Sequence, residues 1–168
     1  MSKSNQETLQ KIIEKGYTQA CYQWKIIPYR EVIFKGFYGK EISQEILNNE
    51  EILINLKVDT PLRKKIFVEE LEEIVLSKSG LALPAKWETW IIINPFYLEF
   101  NFSEKLVLDF VAIVAHETAH AVIFNWDIYW GHNDPHKEIT RYLKNYYLKQ
   151  NIDWKKILKE TKPSLCQD

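Results

Sequence analysis

The sequence predicts an α+β domain in which helices pack on one side of a small sheet. Three observations carry this. The chain has 168 residues, 46% hydrophobic and 27% charged, which suits one globular domain over 1–168 and excludes wholesale disorder. Segments with helical spacing of apolar residues alternate with short β-branched and aromatic runs of unlike spacing. One segment, 106–124, is apolar on most sides of a helix, so it belongs in the middle of a domain. Six Trp, nine Tyr and eight Phe make the expected core bulky.

The elements follow in order. Ser4-x-x-Glu7 fits a helix capping box, with Leu9, Ile12, Ile13, Ala20, Cys21 and Trp24 behind it and Gly16 as a weak point. Pro28 ends any such helix. Residues 32–34 and 37–38 read as a strand with turn signals at Gly36 and Gly39. Residues 42–49 suit a short helix and 52–58 a strand. Thr60-Pro61 starts a helix with Ile66, Phe67, Leu71, Ile74 and Val75 on one face, stopping near Gly80. Residues 87–94, β-branched and aromatic, read as a strand. Ser103 is a good cap for the central helix and Glu104 suits its first turn. That helix carries one stripe through Val107, Phe110, Val111, Val114, Thr118, Ala121 and Val122. A second runs through Asp109, Ile113, His116, His120 and Ile123, and the helix ends around 125–127. Asp134-Pro135 opens the next helix, with Ile139, Tyr142, Leu143, Tyr146 and Tyr147 inward, and Asp153-Trp154 opens a last short one.

Cys21 and Cys166 have no C-x-x-C pattern, which suggests reduced thiols, and no apolar run opens the chain. Both point to a cytoplasmic protein. Asp109, His116, Glu117 and His120 interrupt the apolar segment, so a buried helix is expected there and no membrane partner.

All four histidines, His116, His120, His132 and His136, fall within 21 residues. His116-Glu117-Thr118-Ala119-His120 is H-E-x-x-H, and residues at i and i+4 share one helix face. Two imidazoles so placed can bind one metal ion, and zinc suits nitrogen ligands. Glu117, next to the first ligand, stands where a general base for a water molecule is needed. The bland alternative is a buried helix whose histidines bond core carbonyls. Burying His and Glu in an apolar face is costly unless something satisfies them, so the metal site is favoured.

A third ligand must come from elsewhere. The metzincin spacing requires Gly at 123 and His at 126, where the chain has Ile123 and Trp126. Glu138 is the downstream carboxylate a gluzincin would use. His132, after Gly131, is favoured as third ligand over His136, which sits at a helix N-terminus that disfavours its charged form. The loser of the two would contact substrate or an oxyanion.

Residues 114–121 together with Gly131-His132-Asn133-Asp134-Pro135-His136-Lys137 resemble the SprT-like (Spartan-type) metallopeptidase domain. That family pairs a helical HExxH-A with a downstream G-H-G-x-x-F element. Ile91-Ile92-Ile93-Asn94-Pro95 is similar to its strand before the active-site helix. The likeness covers about 88–145 and implies a zincin-like domain with a central HExxH helix. It implies zinc on His116, His120 and His132, Glu117 as catalytic base, and a protein or peptide substrate. Asn133 replaces the family glycine, His136 stands where an aromatic is usual, and the family's Cys-rich zinc ribbon is absent.

Overall charge is nearly balanced, with 22 basic and 23 acidic residues, but its distribution is not. Residues 41–73 hold nine acidic and four basic residues, net −5, whereas 137–162 hold eight basic and three acidic, net +5. Tyr142, Tyr146, Tyr147 and Trp154 interleave the basic part, which leaves nucleic-acid contact through Arg141, Lys144 and Lys149 open. Aromatics turned to the core are the plainer reading of the same spacing. Two functions therefore compete. One is a zinc peptidase. The other is a nucleic-acid-associated module whose zinc is structural and closed by all four histidines.

Overall fold

A computed structural model describes residues 3–58, 60–76, 78–94, 104–128 and 132–165. Among them the chain order is α1 (Lys3–Trp24), β1 (Glu31–Phe37), α2 (Lys40–Leu47), α3 (Glu50–Asn55) and α4 (Pro61–Leu76). Then come β2 (Gly80–Pro84), β3 (Glu88–Ile93), α5 (Glu104–Phe124), α6 (Asp134–Lys149) and α7 (Trp154–Leu165). The fold is α+β. Its three-stranded sheet has the order β1-β3-β2, parallel between β1 and β3 and antiparallel between β2 and β3.

Helices cover both faces of the sheet, which corrects the expectation of one. Alternate residues of β3 explain why. Ile91 and Ile93 join Val32 and Phe34 in a core shared with α1, α5, α6 and α7. Trp90 and Ile92 point the other way, into a smaller core with Ile42, Ile46 and Ile52 of α2 and α3. A strand buried on both sides reads as a continuous apolar run, and β3 does so. α5 is long and apolar enough to cross a membrane by length and composition, and here 67% of that stretch is buried inside the domain.

Other expectations shift as well. Residues 50–55 form helix α3 where a strand was expected over 52–58, because the Asn49 side chain accepts from the Ile52 N–H at 3.0 Å. Glu50 and Glu51 in its first turn add favourable charge. Gly36 makes a bulge within β1, at φ +103°, where a turn was expected. Ser4 lies inside α1 and not at its cap. On α4, Leu71 is buried and Phe67 partly so, but Ile66 is exposed. β2 has no counterpart among the expected elements. The cap at Ser103, along with Gly131 and Cys166, lies outside the described residues.

The two sheet edges differ. Gln10 accepts from the Phe34 N–H (2.6 Å) and donates to the Val32 carbonyl (2.8 Å), while Gln6 donates to the carbonyls of Phe34 and Lys35. These side chains take the place of a neighbouring strand and close the β1 edge. On the outer edge of β2, Asn55 donates to the Pro84 carbonyl at 2.9 Å, and no such side chain bonds Gly80 to Leu83 among the described residues.

The end of α5 is tied to this sheet. Buried Arg30 donates to the carbonyls of Ala85 and Phe124 and pairs with Asp127 at 3.4 Å. Asn125 donates to the Tyr17 hydroxyl, which in turn donates to the Arg30 carbonyl. Cys21 is free beside them, its thiol pushed up to about 12 by burial.

Candidate metal centre

The site is built on two helices. α5 carries His116 and Glu117 in its fourth turn and His120 in its fifth. α6 starts where the Asn133 side chain accepts from the His136 N–H at 2.9 Å, so Asn133 is the cap and not the expected Asp134. Pro135 suits the first helical turn. Ile139, Leu143 and Tyr147 are buried on the inner face of α6 and bind it to the same core as α5. That packing lays the start of α6, with His132 and His136, against the histidine face of α5.

The four histidine rings meet. Their centroids are 4.0–5.1 Å apart in every pairing, the closest being His120 and His136. The Nε2 atoms of His116 and His132 are 3.1 Å apart. One nitrogen from each of His116, His132 and His136 lies within 4.8 Å of the others, so these three lie close enough to bind one metal ion. His120 adjoins this set through its ring. His136 also places Nε2 3.1 Å from the His116 carbonyl oxygen. A carbonyl only accepts, so that nitrogen carries the proton and Nδ1 is the one left with a free lone pair.

Burial keeps the rings of His116, His120 and His136 neutral. Burial lowers His116 to about 4, helped by neighbouring His136 and His132 and by Lys78. Burial lowers His120 further, to about 2, and lowers His136 despite its bond to the carbonyl. Neutral imidazoles are the form that binds metal.

Glu117 is 4% exposed, and burial raises it to about 8, opposed by the charge of Lys78. Its Oε1 lies 4.0 Å from His116 Nε2. The first residue of β2 makes room for it. A Cβ added to Gly80 would stand 3.1 Å from Glu117 Cγ and 3.3 Å from Oε1. The carboxylate therefore sits beneath the start of the open sheet edge.

The chain matches no family model, curated protein or solved structure at a significant level. Chemistry here rests on the site itself.

The structure thus brings together His116, Glu117, His120, His132 and His136. Glu138 is exposed, and no carboxylate joins the close-set ligand group among the described residues. Arg141, Lys144 and Lys149 lie exposed along α6. Tyr147 is buried, and Tyr142 and Tyr146 are half-buried, with Tyr142 against Trp24 and Tyr146 against Tyr147. Sequence reading missed Gly80 and Lys78. Gly80 reads there as a helix stop, and only the tertiary fold shows it touching Glu117.

Proposed function

We propose that the protein is a zinc-dependent peptidase with a zincin-like, SprT-like site, in which Glu117 is the general base. The observation that carries this is a buried Glu117 carboxyl set between a cluster of imidazoles and the Gly80 end of an outer strand. The donor set fits zinc. Four nitrogens at about 2.0–2.1 Å in a tetrahedron are separated by about 3.3 Å, and His116 and His132 already hold their Nε2 atoms 3.1 Å apart. His116, His120 and His132 would hold the ion, leaving one position open. His136, its Nε2 proton engaged by the His116 carbonyl, would orient that ligand's backbone. When bound, zinc supplies a Lewis acid that polarises a carbonyl and makes water more acidic.

The chain's own residues do the rest. The outer edge of β2 from Gly80 to Leu83, short of the Asn55 bond to Pro84, can align an extended peptide by main-chain hydrogen bonds, which brings a peptide carbonyl over Glu117. In its ionised form, Glu117 accepts the proton of the attacking water at Oε1 and delivers it to the departing amine nitrogen. A side chain at position 80 would crowd the carboxyl, and Gly80 carries none. The likeness of 88–145 to the SprT-like domain supports the same reading.

Glu117→Gln keeps shape and removes the base. Casein hydrolysis by the zinc-loaded variant should fall roughly 10²–10⁴-fold with zinc content unchanged. Cleavage at the wild-type rate would sink the peptidase reading. The second reading, a nucleic-acid-associated module with structural zinc, draws on the meeting of all four rings and the exposed Arg141, Lys144 and Lys149. A count of four protein ligands in the zinc-loaded protein, with no exchangeable water, would favour it.

A further inference from the structure

We propose that Lys78 forms a carboxylate-binding subsite beside Glu117, so that the site selects peptides with a carboxylate near the bond to be cut. This rests on the peptidase reading and names its substrate class. Lys78 lies two residues before Gly80, and its backbone is fixed. Asn94, 3% exposed at the end of β3, donates from Nδ2 to the Lys78 carbonyl at 2.6 Å. The Asn94 N–H donates to the Ser79 carbonyl at 3.0 Å. The sheet register then sets Gly80 opposite Ile93 and against Glu117. Lys78 therefore stands where the open β2 edge meets the histidine cluster.

Its side chain is exposed and has no ion-pair partner among the described residues. Its charge nonetheless reaches Glu117, where only burial acts more strongly, and reaches His116 and His120 as the weakest of several influences. A cation whose backbone is anchored two residues before the glycine that touches Glu117 is available to a substrate anion. A peptide on the β2 edge passes directly by it. The peptide can offer an Asp or Glu side chain or its own C-terminal carboxylate, and both present the same chemistry.

Binding tests this independently of turnover. Zinc-loaded Glu117→Gln protein is titrated with amidated peptides that differ by Glu or Gln on either side of a central apolar pair. A neutral peptide with a free C-terminus forms the other arm. The Glu peptide or the free-acid peptide should bind about three- to fivefold tighter than its neutral analogue, as expected for an exposed charge pair. Raising salt should shrink the ratio. Adding Lys78→Met should bring the ratio to one, and Lys78→Glu should invert it. An unchanged ratio in Lys78→Met overturns the proposal, as does failure of every peptide to bind, or preference for an oligonucleotide over all of them. Wild-type hydrolysis of neutral peptides tests the peptidase reading separately. If those are cleaved without acidic preference, only the Lys78 subsite falls.

Discussion

His136 and Glu117 are both buried titratable groups, yet their surroundings give them different tasks. His136 spends its Nε2 proton on the His116 carbonyl, so its loss should loosen the site without removing a ligand. Zinc affinity of His136→Ala should drop about 10–100-fold, the usual effect of losing a group that orients a ligand. His136→Gln, whose amide can donate to the same carbonyl, should recover most of it, whereas His120→Ala and His132→Ala should lose zinc under the same dialysis. Full zinc retention by His120→Ala would instead make His136 a ligand. The metal-free protein should also show opposed pH effects. Glu117 rises from 4.5 to about 8 on folding, so the folded state keeps a proton that the unfolded chain releases, and stability falls as pH rises through that window. His116 drops from 6.5 to about 4, so the unfolded chain binds a proton that the folded state refuses, and stability falls as pH drops below 6.5. Glu117→Gln removes only the first effect. Melting curves of metal-free protein should therefore flatten between pH 6.5 and 8 in the variant and keep falling in the wild type. Parallel profiles would refute the buried acid. The histidines and Glu117 were legible in sequence because i, i+4 spacing fixes a helix face. Lys78 and Gly80 were not, because no local pattern tells that a strand will start above a residue more than thirty positions later.

Elements show two distinct demands for glycine. Gly16 of α1 lies against Tyr147 of α6, and an added Cβ would meet the Tyr147 hydroxyl at 2.3 Å and its ring at 2.5 Å. Tyr147 cannot retreat easily. It is fully buried, its hydroxyl lies 3.3 Å from Thr118 Oγ1 on α5, and its ring packs edge-on against Trp154. Gly36 has open space, with nothing nearer than 3.9 Å, but a backbone at φ +103°. Ala at either site should destabilise, by about 1–3 kcal/mol through overpacking at 16 and about 1–2 kcal/mol through backbone strain at 36. Denaturant melts check both, and adding Tyr147→Phe should relieve part of the cost at 16 and none at 36. Equal response at the two sites would contradict these separate causes. The same elements show how far local pattern reaches. α1, α5 and α6 followed from apolar spacing over four or more turns. α3 did not, because residues 52–58 alternate imperfectly in the manner of a strand, and one Asn49 cap with two acidic neighbours decided the matter. β2 was missed because Gly80 to Pro84 begins and ends in residues that read as breakers, tolerated at an edge strand.

At the scale of the whole molecule, the two readings of the metal part company over what holds the fold together. The histidine cluster joins α5 to α6, but so do Val114, Ala121, Ile139, Leu143 and Tyr147 in one core that also takes in α1, α7 and the sheet. Arg30 and Asn125 fasten the far end of α5 to the start of β1. None of these contacts needs an ion, so the domain should remain folded without one, unlike small domains whose metal supplies the folding energy. Chelation should leave the far-UV helical signal at 25 °C unchanged. Zinc at about a thousand times its dissociation constant adds roughly 4 kcal/mol to stability, since it binds the folded chain alone. For a domain of this size that corresponds to a melting point raised by roughly 8–16 °C. Collapse of the helical signal on chelation would mean that the cluster is a structural clamp closed by four histidines. A folded, metal-free protein that regains its upper melting point on titration with one zinc equivalent would instead match an open site on a self-sufficient scaffold, the arrangement catalysis requires.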